Sequence, residues 1–554
     1  MSSRKTLLTS APPAAPAQAA EPIEALFLIG CGSPAQLLAQ QAQASAQTMG
    51  FKAWNLLRMA QLQLPVPPAF VLGTGFCANA DTRAHAGQPA TWGVGLATLE
   101  AKLGQKLGDP RRPLLLSVRS GAPVSMPGMM ETLLNIGLCD ATVPGLLRSS
   151  GNPRLVWDAY RRLVATYGEV VAGLDARTFD QATEALAAGR DERELDFAEL
   201  RELTRRYQAI YLQGAGKPFP QSPQQQLTDA IQAVLDSWQS DKAIEYRRVN
   251  QLSDAMGTAV TVQTMVFGNA GGRSGAGVGF TRDPATGEPH LWVDFLFNAQ
   301  GEDVVSGRRS AHGHDELATV MPLAWQALQD AACQLEHAMT DMQDFEFTVQ
   351  DGTLYMLQTR SGKRTPQAAA RIALDMLDEG IITEDMARQR TKGLDAKALA
   401  RTQVVSADGQ ALAPLGEAAT ACTGVAIGEI AFDVGRAKAR QAAGVAVILV
   451  RRDAETSDIA ALEAAQGLLT QRGARTSHAA VVARQLGKVC LVGCSAMLMD
   501  EAQRSITFGN VTLHEGDTIT LDGNEGRIYQ GAIGTRIDEP VELLGRLAHL
   551  WAKR

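Results

Sequence analysis

The chain has 554 residues, with 52 Lys+Arg against 59 Asp+Glu and a formal net charge of −7. That length holds roughly three or four domains, and a mildly acidic chain without a long basic run speaks against nucleic acid or an anionic membrane as partner. No apolar run approaches the ~20 residues of a membrane span. Residues 1–22 are rich in Ala, Pro and Ser, and their Leu7-Leu8 pair is too short for a signal-peptide core, so they read as a disordered tail. The seven cysteines are scattered. Cys490 and Cys494 flank an apolar Leu-Val-Gly with no second ligand pair nearby, which points to buried thiols in a reducing cytoplasm rather than to zinc.

In chain order, a short apolar strand is expected at 25–29, then a polar Gln/Ala-rich segment to Met49. Gly50-Phe51-Lys52-Ala53-Trp54-Asn55-Leu56 follows as a loop, leading into a helix to about Leu62 and the turn Leu64-Pro65-Val66-Pro67-Pro68. Leu114 to Val118 reads as a buried strand running into Arg119-Ser120-Gly121-Ala122-Pro123-Val124-Ser125-Met126-Pro127-Gly128-Met129-Met130. An arginine leaving a strand end can hold two phosphate oxygens at once, and the glycines and methionines after it suggest a mobile loop. Residues 144–217 carry a helical pattern, with Val156, Tyr160, Leu163, Val164 and Tyr167 at helical spacing as core. A further helix is expected at 227–238, and strands return at 258–267, 275–281 and 290–297.

Asp344-Phe345-Glu346-Phe347-Thr348-Val349 reads as a strand. Alternation puts Asp344 and Glu346 on one face, about 7 Å apart, a spacing that suits Mg²⁺ bridged to phosphates. Asp351-Gly352 turns the chain into Thr353 to Arg360. A two-residue loop sets Gln358 and Arg360 on the face opposite Glu346; a three-residue loop with Gly352 left-handed sets them together. Helices near 368–379 and 384–390 lead into a loose linker from Thr391 to about Glu417, a strand-rich region from 421 to 533, and a final helix over 539–554.

Within that last region, Gly473-Ala474-Arg475-Thr476-Ser477-His478-Ala479-Ala480 delivers His478 to the first turn of a short helix. Thr476 and Ser477 are capping types. The positive end of the helix dipole favours a neutral imidazole and any negative group attached to it. Such an imidazole is a nucleophile, and a phosphoryl group is the obvious anion for it to carry.

The segment from Leu468 to Gly493 closely resembles the phosphohistidine signature of pyruvate phosphate dikinase and its phosphoenolpyruvate-utilising relatives, and the Arg119-to-Thr132 stretch resembles the dikinase itself. The resemblance covers roughly residues 25–550. It implies an α/β multidomain fold: an ATP-grasp nucleotide-binding domain over 23–365 with a helical insertion at about 144–240, a helical connection and linker at 366–417, a swivelling α/β phosphohistidine domain at 418–535, and a C-terminal helix at 536–554. It further implies phosphorylation of His478, ATP binding by Lys52, Arg119, Gln263, Asp344, Glu346, Gln358 and Arg360, and Mg²⁺ on Glu346 and Asp344. Thr476 matches a threonine phosphorylated for regulation in some members, beside its plain role as a cap. The nucleotide site of the family uses the Glu, the Gln and the Asp together, which selects the three-residue loop for the hairpin. The chain departs from the family at Phe51, Ala53 and Trp54, at Asp294 where glutamate is usual, and at Cys422-Thr423 where the family has Ser-Pro.

The expected activity is ATP-dependent autophosphorylation of His478, with ATP plus phosphate giving AMP plus diphosphate. No run of alternating strands and helices here could form the family's pyruvate/phosphoenolpyruvate barrel, so either the sequence is a fragment of a longer protein or the phosphoryl group passes to pyruvate or another acceptor on a separate chain. A non-pyruvate small-molecule acceptor and a catalytically decayed nucleotide-binding regulator are the alternatives. A cytoplasmic location is expected, and a homodimer is an open alternative for its assembly.

Overall fold

The computed structural model describes residues 24–552, apart from 125, 127–129, 306–313, 407–411, 454–458, 474 and 476–477. The expected tail at 1–22, Thr476 and most of the Ser125–Met129 stretch lie outside the described residues. So does the side chain of His478, although its backbone is described.

Two antiparallel sheets build the first half. The five-stranded sheet consists of β1 (Leu26–Ile29), β2 (Ala69–Leu72), β3 (Leu116–Gly121), β4 (Thr132–Ile136) and β5 (Ala259–Thr264), in spatial order β1-β2-β5-β3-β4. The four-stranded sheet consists of β6 (Gly275–Phe280), β7 (Trp292–Phe297), β8 (Gln343–Gln350) and β9 (Thr353–Ser361), in order β7-β6-β8-β9. The helices between Val143 and Val249 pack on the five-stranded sheet and share one core with it: Tyr160, Leu163, Val164, Tyr167, Ile231 and Trp238 sit with Phe70, Leu116, Val118 and Val262. The insertion is therefore continuous with the sheet. A second core joins the Phe51–Gln61 and Pro322–Met339 helices to one face of the four-stranded sheet. On that face Gly277 and Gly279 make room for the rings of Phe347 and Phe345, which stand 2.5 Å from where a Cβ would be.

The expected loop at 50–56 is helix. Phe51–Gln61 is helical from its first residue, with Gly50 as the N-cap. Gly50 has φ +76°, and a Cβ there would lie 1.9 Å from the Gly121 carbonyl oxygen, so only glycine lets this helix start against β3. Helical spacing sends Ala53 and Trp54 into the core and leaves Phe51 and Lys52 on the cavity side. The bulk that departs from the family at Ala53 and Trp54 is thus packing.

The hairpin also differs from expectation. Gln350 pairs with Thr353 across a two-residue turn, Asp351-Gly352, with φ +50° and +80°. The register then shifts between Glu346 and Phe347: Phe347 pairs with Met356 but Glu346 pairs with Gln358, so Leu357 is the extra residue of a β-bulge. The side chains meet on one face as expected, but the bulge brings them there, and the loop has two residues rather than three.

The segment expected as a loose linker contains regular elements among its described residues. It holds a short helix, Ala396–Leu399, and β10 (Arg401–Val404). β10 pairs antiparallel with the exit strand Thr535–Asp538, so the two chain segments entering and leaving the second half form one ribbon. Asn524 donates to the Thr402 carbonyl at 2.9 Å and ties that ribbon to the second half. The terminal helix Val541–Ala552 then returns to the first half. Leu547 and Leu550 are buried with Ile372, Met376 and Ala387, and Arg546 pairs with Asp375 at 2.7 Å and Asp378 at 2.8 Å.

The second half centres on an eight-stranded mixed sheet. Val425–Ala431, Val447–Arg451, Gly467–Thr470 and Val489–Val492 run parallel at its middle. The helix His478–Gln485 follows the third of these strands and packs Ala480 and Ala483 onto the sheet beside Cys422, Leu468 and Cys490.

Candidate active site

A cavity of about 330 Å³ opens between the two sheets of the first half. β3 and β5 supply Arg119 and Gln263 from one side, β8 and β9 supply Glu346, Gln358 and Arg360 from the other, and the first turn of the Phe51–Gln61 helix supplies Lys52. The cavity's cations, Lys52, Arg119 and Arg360, lie close enough for Arg119 and Arg360 to act on the Lys52 charge. Its apolar lining is Val124, Met126, Met130, Leu134, Met265 and Val266. An apolar slot joined to a cluster of fixed cations suits a molecule with a flat ring at one end and phosphates at the other.

The charges are organised around Glu346. Its side chain accepts from Gln358 Nε2 at 3.4 Å, and Arg119 Nη2 lies 3.8 Å from its other oxygen. Burial, and then the neighbouring Arg119 guanidinium, lower the Lys52 ammonium to about 8. Such a lysine titrates close to neutrality and gains its full charge when an anion enters. Gln263 is buried and donates to the Pro67 carbonyl at 3.0 Å, which sets its orientation in the wall.

Asp344 stands apart from the other six nucleotide candidates. It shares a face with Glu346 but does not line the cavity. Arg360 Nε holds it at 2.7 Å, and it is almost completely buried. Burial pushes its carboxyl above the usual range against the pull of Arg360. Among the described residues no group of three or more His, Cys, Asp or Glu is placed to hold a metal ion. Glu346, partly exposed and facing the cavity, fits a cation that takes most of its ligands from phosphate oxygens and water; Asp344 fits as the carboxylate that orients Arg360.

His478 begins the second half's docked helix. Two arginines on either side of it reach the first half. Arg475 Nη2 lies 3.3 Å from Asp294 Oδ1, and its guanidinium carbon is 3.8 Å from the Trp292 ring centroid. Arg484 is buried, donates to the carbonyls of Ala421 (3.0 Å) and Arg475 (3.2 Å), and sits over the Phe280 ring at 5.4 Å. Sequence reading singled out neither arginine, and their partners on β6 and β7 lie far away along the chain.

Residues 89–317 and 320–380 match the family described as pyruvate phosphate dikinase, AMP/ATP-binding domain, and residues 444–526 match the PEP-utilising enzyme, mobile domain. Fold and site together define a multidomain α/β protein that couples a nucleotide-binding unit to a mobile-domain unit. Pyruvate, phosphate dikinase of Clostridium symbiosum is 42% identical over 508 residues, 90% of this chain and 58% of that protein. Pyruvate, phosphate dikinase 2 of Zea mays is 41% identical over 491 residues (88% and 56%), and the chloroplastic dikinase 1 of Arabidopsis thaliana is 41% identical over 489 (87% and 51%). The chain belongs to the pyruvate phosphate dikinase family, and it spans about half the length of these curated relatives. No helix among the described residues is long and apolar enough to cross a membrane.

Proposed function

We propose that this chain carries the nucleotide half-reaction of a dikinase: ATP binds in an ATP-grasp cleft between the two sheets, and His478 takes its β-phosphoryl group. The N–P bond to His478 forms as the bond to the AMP oxygen breaks. His478 then carries the β- and γ-phosphoryl groups together; inorganic phosphate takes the γ-phosphoryl group as its bond to the β–γ bridging oxygen breaks, so ATP, phosphate and His478 give AMP, diphosphate and phospho-His478. The single observation that carries this reading is the convergence of Lys52, Arg119, Glu346, Gln358 and Arg360 on one cavity.

In this reading the adenine lies in the apolar slot beside Gln263. Lys52, Arg119 and Arg360 neutralise the phosphate oxygens, and catalysis is positioning plus charge neutralisation. Mg²⁺ held by Glu346 supplies further neutralisation of the β- and γ-oxygens when bound. Asp344 holds Arg360 in place. The 418–535 unit swivels on the β10 ribbon as a rigid body and carries the phosphoryl group to a distant acceptor, with pyruvate the acceptor most in keeping with the family. Domain bounds of 23–400 plus 539–552 for the nucleotide unit suit this better than a separate C-terminal helix, because that helix packs back on the first half.

The test is incubation with Mg²⁺ and ATP labelled at the β-phosphorus, with and without inorganic phosphate, beside His478→Ala. Acid-labile, base-stable label on the wild type and none on the variant is expected. Good ATP binding with no label at all would overturn the reading.

A further inference from the structure

We infer that Arg475 is the positioning residue that seats the His478 loop on the nucleotide unit, by pairing with Asp294 while stacking on Trp292; this rests on the reading of His478 as the phosphoryl carrier. The argument starts from the register of the four-stranded sheet. Asp294 opposes Val278, and Val278 opposes Glu346. Trp292 opposes Phe280, and Phe280 opposes Asp344. These two rows lie on one face of the sheet, the face that holds Glu346 in the cavity.

Asp294 is therefore in the same cross-strand row as Glu346, two strands away, roughly 10 Å at ordinary strand spacing. His478 follows Arg475 by three residues, a separation that chain geometry limits to about 10 Å. An anchor at Asp294 thus puts the start of the His478 helix within reach of the cavity's charged residues, whereas an anchor on the opposite face would not. The contact is built on both sides. In contact, the Asp294 side chain is 3% exposed and that of Arg475 27%, so the pair is largely shielded from water. The ring of Trp292 fixes the guanidinium plane, a role that lysine's compact ammonium fills poorly. Arg484 holds the arriving loop from behind through the Arg475 carbonyl.

The experiment compares Arg475→Met, Arg475→Lys, Asp294→Asn and the Arg475→Met/Asp294→Asn double variant with the full chain. Single-turnover labelling of His478 is measured at saturating Mg²⁺–ATP, ATP affinity by calorimetry, and the solution dimensions of unlabelled protein by small-angle scattering. Labelling at least tenfold slower in Arg475→Met and Asp294→Asn is expected, with ATP affinity within twofold. Arg475→Lys should fall between, the double variant should be no slower than either single, and the radius of gyration of Arg475→Met should rise. Wild-type labelling rate in Arg475→Met overturns the inference and leaves the phosphohistidine reading intact, and so does an ATP affinity that falls in step with the rate. Absence of label in the wild type overturns that reading instead; scattering then decides the docking alone, and superimposable curves for wild type and Arg475→Met overturn it.

Discussion

Gln358 reaches Glu346 across the β8–β9 hairpin, Nε2 to Oε1 at 3.4 Å, because Leu357 is bulged out of the ladder between them. A regular ladder from the two-residue turn would send Gln358 and Arg360 to the other face. Deleting Leu357 is therefore expected to weaken ATP binding at least about 100-fold, since several charge-assisted bonds of about 1.5–3 kcal/mol each are lost together. Leu357→Ala keeps the extra residue and is expected to cost about tenfold or less. Calorimetric titration with a non-hydrolysable ATP analogue, beside circular dichroism to verify folding, checks both.

Lys52 gives the nucleotide site a pH dependence. Its ammonium is held at about 8, chiefly by burial and then by Arg119. Below that value the free protein already carries the charge that phosphates attract. Above it, binding must first take up a proton, so ATP affinity is expected to fall by up to about tenfold per pH unit between about 8 and 9.5. Lys52→Arg stays charged throughout and should flatten the profile. A flat wild-type profile would contradict the assignment.

Gly50 is a steric hinge point of the fold. Gly50→Ala places a methyl on the Gly121 carbonyl and forces a backbone conformation that is almost glycine-only. A loss of about 3 kcal/mol or more in urea unfolding is expected, together with weaker ATP binding, because the displaced turn carries Lys52.

The Asp344–Arg360 pair predicts an asymmetric mutational response. Arg360→Met leaves a buried carboxylate unpaired and is expected to cost about 3–5 kcal/mol at pH 8. Its Asp344 pKa, already raised by burial, rises further. A group whose folded pKa lies above the unfolded value gives stability that is lost as pH rises through the folded pKa. The deficit of Arg360→Met relative to wild type should therefore be smaller at pH 5 than at pH 8. Arg360→Met/Asp344→Leu should recover much of it at both pH values, as denaturant midpoints will show.

By itself the sequence determined the strands around Arg119 and Glu346, the helical pattern of 144–217 and the two long words around Arg119 and His478. Those signals are local: apolar period, turn residues, and capping types within a few positions of one another. It also placed Asp344 and Glu346 on one face, because strand alternation is a property of consecutive residues. Tertiary structure decided the rest. The bulge at Leu357 depends on which partner residues the ladder must bury. The helix at Phe51 depends on a glycine meeting the Gly121 carbonyl from another strand. The β10 ribbon joins Val404 to Thr535, and the Arg475–Asp294 contact joins two halves of the chain. Pairings at such separations leave no trace in local periodicity, since packing and register choose them only after the elements have formed.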